Sequence, residues 1–340
     1  MPLDADRIQH LVARTWRDLS WVSVVYPDQG MDHAVIVLEG VSSKEGELAD
    51  LIPERVVVRV PHTAEYRDQA MLESSLIAQL FRGTKVRVPE TVRQAHARGT
   101  FNTASPIILT LQSYVDGEPL DAEQWSEMTD QQRLLAVEQL GSLLATMHSM
   151  PADVLPVSKV EPWWLDGAAT QQLNTNPRAL PGKLELMRAR LDEYLLPHLS
   201  PRQVQHVEQV LAHVDSLLAR PGQQRCLTHG DLYPGHLLWD ATGVGVIDFS
   251  DMTVGDPALD YAHFAGIAPE LPELVMRQAM EHAAGRFESE AKAEPLYEPG
   301  LLERAAVFKQ WDDIFLAIDH YRTGDSELPD IPEAEEDTEA

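Results

Sequence analysis

The sequence predicts an α+β protein with two lobes, a small N-terminal lobe built on an antiparallel sheet and a larger, mainly helical C-terminal lobe. Three apolar runs, Val22–Tyr26, Ala34–Leu38 and Val56–Val60, are rich in β-branched residues and have the length of strands. Later in the chain, apolar residues recur at helical spacing. At 340 residues, the chain is long enough for two lobes with separate cores.

We place the small lobe at residues 1–113 and the large lobe at residues 114–324. The remaining segment, residues 325–340, contains eight acidic residues and is interrupted by prolines. Such a composition buries too little apolar surface to offset the entropy lost on ordering. We therefore predict that residues 325–340 form a disordered tail without a catalytic role.

The small lobe is predicted to begin with a short helix within residues 5–20, followed by the three strands. Pro27–His33 joins the first two strands and contains one glycine, which favours a hairpin turn over a phosphate-covering loop. Arg59 lies inside the third strand, where a charge is costly unless solvent or a partner compensates it. A helix predicted over about Glu65–Phe81 brings Glu73 within reach of Arg59.

The large lobe follows a fourth strand predicted at Ile107–Tyr114. Its first long helix begins at a capping box formed by Thr129 and Gln132, and Pro151 ends it. Further amphipathic helices are predicted at residues 183–198 and 202–219 and from about Leu301 to Tyr321. These helices precede and follow the central motif, so they are placed to build a second binding pocket.

The central motif, Leu227–Asp240, predicts an irregular loop followed by a short β-hairpin. Apolar runs on either side of a turn at Asp240–Gly243 favour two paired strands. His236 and Asp248 each lie six positions from Thr242, so a hairpin in that register sets them opposite one another.

Asp231 lies five residues before His236, in a loop that contains glycine and proline. One acidic side chain beside two potential metal ligands suits phosphoryl transfer to a hydroxyl. In such a site, the carboxylate of Asp231 accepts or orients the hydroxyl proton, and His236 and Asp248 hold the divalent ion that neutralises the phosphates. The same residues leave open a metal-dependent hydrolase or a nucleotide-binding regulator. A hydrolase, however, leaves the pairing of Arg59 with Glu73 unexplained.

Composition limits the partners. The chain has 54 acidic and 27 basic side chains, and this net charge of −27 argues against nucleic acid as a partner. The charge favours a cationic ligand through long-range attraction, or it only keeps the protein soluble. The single cysteine, Cys226, excludes an intramolecular disulfide and fits a reducing compartment. No signal-peptide pattern is present, and no apolar run approaches the roughly 18–20 residues of a membrane span. We expect a cytoplasmic monomer without nucleic-acid or membrane partners.

The central motif resembles the catalytic signature of the antibiotic phosphotransferases, the aminoglycoside- and macrolide-modifying kinases. The matching positions are His229 to Asp231, His236, Asp248, and the segments Gly255–Ala262 and Leu143–His148. Most members of that family carry Asn at the position of His236. Histidine there, within Leu-x-Pro-Gly-His, is similar to the macrolide 2′-phosphotransferase branch. The resemblance implies a protein-kinase-like fold and transfer of the GTP γ-phosphate, with ATP as an alternative donor, to the desosamine 2′-hydroxyl of macrolides.

The resemblance also implies roles for the motif residues. Asp231 would be the catalytic residue that accepts or orients the acceptor proton. His236 and Asp248 would hold Mg²⁺, with two ions expected. Because Mg²⁺ prefers oxygen ligands to imidazole, the alternative for His236 is a hydrogen bond to a phosphate oxygen. His229 and Asp256 would support the loop.

In the small lobe, the resemblance implies a nucleotide-binding site. Arg59, in place of the usual Lys, would contact the phosphates, and Glu73 would orient it. Backbone groups near Gln112 and Tyr114 would be available to the purine edge.

For the acceptor, a macrolide implies a broad apolar pocket with a few acidic groups for its single dimethylamino cation. Trp164, Trp311 and Asp312 are candidates for its wall. The alternative acceptor is an aminoglycoside or a small metabolite such as a sugar, choline or homoserine. Aminoglycosides are polycations, which suits the acidic balance of the chain, but their site would be lined by many carboxylates.

Overall fold

The computed structural model describes residues 5–27, 33–44, 52–61, 64–82, 84–97, 107–150, 180–219, 226–324 and 328–334. These residues fall into two compact units. The first unit extends to Leu120 and also contains Gly235–Ser250. The second contains the described residues between Asp121 and Pro234 and those from Asp251 onward.

The helices and strands follow one another along the chain as α1 to α10 and β1 to β12. The first part of the chain contains α1 (Ala5–Thr15), β1 (Leu19–Ser20), β2 (Ser23–Val25), β3 (His33–Glu39), β4 (Ser42–Ser43), β5 (Arg55–Pro61), α2 (Ala64–Leu80), β6 (Thr91–Ala97), β7 (Ile107–Ser113) and β8 (Glu118–Pro119). Next come α3 (Ala122–Glu127), α4 (Asp130–His148), α5 (Leu180–Arg190), α6 (Pro201–Leu218), β9 (Cys226–Thr228), β10 (Leu237–Asp240), β11 (Gly243–Val246) and β12 (Thr253–Gly255). The last helices are α7 (Phe264–Ile267), α8 (Leu271–Phe287), α9 (Glu290–Ala293) and α10 (Leu301–Thr323).

The first unit is built on a five-stranded antiparallel sheet in the order β2-β3-β5-β7-β6. Along β5, Val56, Val58 and Val60 are fully buried and share a core with Ile8 and other residues of α1. Successive side chains of a strand point to opposite faces, so the residue between two of these valines points away from that core. This alternation places Arg55 and Arg59 on the opposite face of β5, where Arg59 contacts Glu73 of α2.

The hairpin is present, but its register differs by one residue from the prediction. Leu237 lies opposite Val246, so the turn contains only two residues. The Asp240 carboxylate fixes this short turn, because it accepts hydrogen bonds from the backbone N–H and the hydroxyl of Thr242, at 2.7 and 2.6 Å. His236 is therefore aligned with the residue before Asp248, not with Asp248 itself.

The hairpin belongs to the first unit, although the predicted boundary at residue 113 placed it with the second lobe. Strand β10 pairs with β8, with Leu238 opposite Pro119. A guanidinium nitrogen of Arg87 lies 2.8 Å from a carboxylate oxygen of Asp240 at the turn. Backbone pairing and this ion pair therefore attach the hairpin to residues that precede Leu120.

The second unit is mainly helical, as predicted. Helix α4 begins at the expected capping box, in which Thr129 and Gln132 exchange hydrogen bonds. The helix predicted at residues 183–198 is interrupted, because α5 ends at Arg190 and a π turn and a 3₁₀ turn containing Pro197 follow. None of the helices in the described part of the chain combines the length and apolarity needed to cross a membrane.

Part of the tail that we predicted to be disordered is packed. Ile331 and Ala334 are buried, and their carbonyl groups accept hydrogen bonds from Gln203 and Arg202 at the start of α6, each at 2.7 Å. The prediction of disorder is therefore wrong for residues 328–334. Ile331 and Ala334 lie among acidic residues in the sequence, so composition alone did not indicate that α6 would hold this segment through hydrogen bonds to its backbone.

Helices α4 and α8 approach closely at Gly141, where an added Cβ would lie 2.5 Å from the Cβ of Gln278 and 2.9 Å from the nitrogen of Ala279. We expect Gly141→Ala to lower the free energy of unfolding by about 1–3 kcal/mol, because the helices must move apart. The control is Gly285→Ala in α8, where no described atom lies within 4 Å of the added Cβ. This change should raise stability by up to about 1 kcal/mol. Denaturant unfolding measures both, and equal effects would contradict the close approach.

Candidate active site

Arg59 gathers three polar side chains in the first unit. Its Nη1 donates to Oε1 of Glu73 at 2.6 Å, and its Nη2 donates to Oδ1 of Asp248 at 2.9 Å. The same Nη2 lies 3.3 Å from Nδ1 of His33, which must act as the acceptor because a guanidinium only donates. Arg59 is 8% exposed and Glu73 is 1% exposed. The expected contact of Arg59 with Glu73 is therefore present, and it lies in a setting where an unpaired charge would be costly.

Asp248 has an unusual backbone conformation. It follows β11 with a φ of +57°, in the left-handed region that side chains other than glycine rarely adopt. The bend takes Asp248 out of the ladder and turns its carboxylate toward Arg59, while the hydroxyl of Ser250 donates to the same oxygen at 2.8 Å. Burial raises the pKa of Asp248, but Arg59, His236, His33 and the Ser250 hydroxyl outweigh burial and hold the pKa below its ordinary value. The group is therefore a carboxylate at neutral pH.

The second oxygen of Asp248, Oδ2, lies 3.8 Å from Nε2 of His236. In the part of the chain that the structure describes, no group of three or more His, Cys, Asp or Glu side chains is arranged to hold a metal ion. Mg²⁺ in phosphoryl-transfer sites takes one or two protein carboxylates and completes its shell with phosphates and water. Asp248 has the carboxylate chemistry that Mg²⁺ prefers, whereas the imidazole of His236 suits softer ions.

The backbone near Gln112 and Tyr114 is engaged within the sheet. Gln112 lies opposite Val57 on one side and Thr91 on the other. The Tyr114 N–H donates to the carbonyl of Arg55 at 3.3 Å, and the Arg55 guanidinium lies 3.7 Å from the centre of the Tyr114 ring. Of the backbone groups near Gln112 and Tyr114 that we expected to be available to a purine, the Tyr114 N–H is therefore already engaged.

The loop that contains Asp231 belongs to the second unit and follows β9. Gly230 has a φ of +83°, and a Cβ there would lie 2.5 Å from the carbonyl oxygen of Asp251, so both conformation and space require glycine. His229 is fully buried, and its Nδ1 accepts a hydrogen bond from the Asp231 N–H at 3.3 Å. Asp231 itself is half-buried. The loop therefore has a defined backbone that fixes where the Asp231 side chain begins.

Asp260 anchors this loop, although we predicted no role for it from the sequence. Its carboxylate accepts hydrogen bonds from the backbone N–H groups of His229 and Gly230, at 3.1 and 2.9 Å. It also lies 3.0 Å from Nε2 of His148, and it is fully buried. The family-like segment Gly255–Ala262 contains Asp260 and could have indicated its role. A linear motif, however, does not reveal which of its acidic residues reaches the loop.

Asp256, predicted to support the loop, acts one step further away. Its carboxylate accepts a hydrogen bond from the Ala258 N–H at 3.0 Å and pairs with Nε of Arg304 at 2.7 Å. These contacts cap the 3₁₀ turn Pro257–Tyr261. Asp256 thus holds the turn that carries Asp260, and Asp260 holds the loop.

The predicted acceptor wall is only partly described. Trp164 lies outside the described residues. Trp311 is 2% exposed and belongs to the core of the second unit, so its ring offers a ligand almost no surface. Asp312 is partly exposed and lies 3.2 Å from Nε2 of His263 and 3.7 Å from Nζ of Lys183. Burial raises the pKa of Asp312, but His263 and Lys183 outweigh burial, so the pKa lies below its ordinary value.

Comparison with known proteins identifies one family. A model described as the phosphotransferase enzyme family matches residues 43–296 of the chain. A search of curated proteins found no significant match.

Solved structures share the fold at low identity. The GDP complex of wild-type aminoglycoside 2′-phosphotransferase-IIIa is 18% identical, with a TM-score of 0.64, and the alignment covers 95% of this chain and 94% of that chain. Macrolide 2′-phosphotransferase MphH from Brachybacterium faecium is 21% identical, with a TM-score of 0.54 and coverage of 94% and 93%. Choline kinase from Cryptosporidium parvum is 13% identical, with a TM-score of 0.53 and coverage of 94% and 90%. The expected protein-kinase-like fold is confirmed.

The buried ion pair between Arg59 and Glu73 should contribute to the stability of the protein. Glu73→Gln removes a buried charge and should lower the free energy of unfolding by about 1–3 kcal/mol, because Arg59 loses a charged acceptor. The control is Glu39→Gln on the same sheet, where Glu39 lies 3.6 Å from Nε of Arg55 and the two side chains are 35% and 41% exposed. This exposed pair should contribute less than about 1 kcal/mol. Chemical denaturation distinguishes the two, and a loss of the same size in both variants would count against the role of burial.

Proposed function

Because the chain belongs to the phosphotransferase enzyme family, we propose that it transfers the γ-phosphate of GTP to the desosamine 2′-hydroxyl of macrolide antibiotics. The observation that carries the proposal is His236 beside Asp248, with Nε2 3.8 Å from Oδ2. Histidine at this position, within Leu-x-Pro-Gly-His, is similar to the macrolide branch, whereas most members of the family carry Asn. The activity would inactivate the drug and so confer resistance.

In the proposed reaction, the hydroxyl oxygen forms a bond to the γ-phosphorus while the bond from that phosphorus to the β–γ bridging oxygen breaks. The hydroxyl proton passes to the Asp231 carboxylate, and GDP leaves with the electron pair. Arg59 would bind phosphate oxygens, and Glu73 fixes the guanidinium for that purpose at 2.6 Å. A divalent ion held by Asp248 and His236 would neutralise the phosphate charge.

The charge state of the second unit supports an acceptor with few positive charges. Asp312 has Lys183 at 3.7 Å, and Asp313 has Lys309 at 2.5 Å. A polycationic aminoglycoside would have to displace these lysines, whereas a macrolide carries a single dimethylamino cation. The acidic excess of the whole chain is therefore a weaker guide to the acceptor than the local pairing of these carboxylates.

Incubation of the protein with Mg²⁺ and either GTP or ATP, followed by mass spectrometry of the acceptor, tests the proposal. Erythromycin should gain one phosphate with GTP. Kanamycin and choline serve as the comparison acceptors. Transfer to either of them and to no macrolide would replace the proposed acceptor, and transfer to none at saturating nucleotide would overturn the proposal.

Asp231→Asn should abolish transfer and leave nucleotide binding intact. The amide cannot take the hydroxyl proton, so kcat should fall by about two orders of magnitude or more. Titration calorimetry with GTP should give an affinity close to that of the unaltered protein. Turnover near the original rate would remove Asp231 from the proposed role.

His236→Asn should retain a measurable part of the activity, because the amide supplies an oxygen ligand that suits Mg²⁺. The dependence of kcat on Mg²⁺ concentration is the informative measurement, and we expect it to shift to lower concentrations of the ion. A complete loss of activity with an unchanged melting temperature would show that the imidazole has another task.

A further inference from the structure

Three buried side chains in the second unit, Tyr297, His148 and Asp260, form a series of hydrogen bonds that ends at the loop containing Asp231. We call this series the relay. The hydroxyl of Tyr297 lies 3.2 Å from Nδ1 of His148, and Nε2 of His148 lies 3.0 Å from Oδ2 of Asp260. The carboxylate of Asp260 accepts the N–H groups of His229 and Gly230, at 3.1 and 2.9 Å. The last bond is made to the residue directly before Asp231.

The direction of hydrogen-bond donation along the relay follows from the chemistry of its three side chains. A carboxylate only accepts, so the proton on His148 that faces Asp260 sits on Nε2. In the neutral ring, Nδ1 is then an acceptor, and the hydroxyl of Tyr297 donates to it. Burial raises the pKa of Tyr297 well above its ordinary value, so the hydroxyl keeps its proton. Each group thus donates toward Asp260.

The three hydrogen-bond donors surround the Asp260 carboxylate for an electrostatic reason. Asp260 has no exposed surface, and a buried carboxylate is costly unless donors surround it. Two of its donors belong to the loop backbone and the third is an imidazole whose orientation depends on Tyr297. A change at Tyr297 therefore alters how firmly Asp260 holds the left-handed turn at Gly230.

We propose that His148 and Tyr297 are positioning residues for phosphoryl transfer, acting through Asp260 on the loop backbone that carries Asp231. The proposal rests on the proposed function, since it assigns Asp231 the acceptor proton. His148 comes from the end of α4, Asp260 from the 3₁₀ turn Pro257–Tyr261, and Tyr297 from the segment before α10. Three separate elements therefore set one loop conformation.

The chain offers a matched control for the hydroxyl of Tyr297. Tyr261 is also buried, and its ring centre lies 6.4 Å from that of His148. Among the described residues, its hydroxyl has no hydrogen-bond partner. Tyr297→Phe and Tyr261→Phe thus remove the same atom from the same region, but only the first removes a bond of the relay.

The first measurement is steady-state kinetics with the acceptor that the mass-spectrometry experiment identifies. Tyr297→Phe should lower kcat by about tenfold, because a small displacement of a catalytic group can cost up to about a hundredfold. KM for GTP should stay within about twofold, since the nucleotide ligands are unchanged. Tyr261→Phe should leave both constants within about twofold. Equal kcat values for the two variants, or a loss that appears only in KM, would overturn the proposal.

His148 gives a rescue test. In His148→Gln, the side-chain amide can donate to Asp260 from near the position of Nε2, whereas His148→Leu cannot. The Gln variant should retain several-fold more kcat than the Leu variant. Melting temperatures identify any variant that fails to fold, and the comparison then rests on Tyr297→Phe. Equal activity of two folded His148 variants would overturn the role of the imidazole.

NMR of histidine labelled at its ring nitrogens tests the relay without relying on activity. His148 should show the tautomer with the proton on Nε2, and its Nδ1 signal should shift in Tyr297→Phe but not in Tyr261→Phe. A proton on Nδ1 in the unaltered protein would overturn the direction of the relay. If no acceptor is phosphorylated while the Nδ1 signal behaves as expected, the proposed function fails and the relay stands as a structural fact.

Discussion

The buried guanidinium of Arg59 is the interaction on which the first unit depends. A charge that is 8% exposed must be compensated, and the compensation comes from two places far apart in sequence, Glu73 and Asp248. The sheet supplies the position of Arg59, α2 supplies Glu73, and the hairpin supplies Asp248. The same contact therefore links three elements and holds a cation beside a charged carboxylate, the two groups that the proposed function assigns to the nucleotide phosphates and their metal ion.

The second unit solves a similar problem with the opposite sign. The buried charge is the carboxylate of Asp260, and the donors are two backbone N–H groups and the imidazole of His148. In both units a backbone in the left-handed region accompanies the charge, at Asp248 and at Gly230. Such conformations persist only when the surroundings hold them. Preorganisation of this kind is what phosphoryl transfer requires, because its catalysis is mostly positioning and electrostatics.

Net charge and local charge lead to different conclusions about the acceptor. The chain carries a formal charge of −27, which favours cations at long range. At the helices of the second unit, however, Asp312 and Asp313 are paired with lysines. A carboxylate with a cation close by contributes little further attraction for a charged ligand. Long-range attraction affects how fast a cationic ligand arrives. Under the proposed function, the paired carboxylates Asp312 and Asp313 would add little to the retention of a polycation.

The two-lobe α+β fold, the strand that carries Arg59, the capping box of α4 and the hairpin could be predicted from sequence, because these features follow from local periodicity and turn chemistry. The tertiary fold set the remaining features. It packed residues 328–334 and buried Trp311, and it attached the hairpin to the first unit by pairing β10 with β8 and Arg87 with Asp240. It also selected Asp260 as the anchor of the loop. These outcomes depend on partners distant in sequence, and a linear pattern does not specify which partners meet.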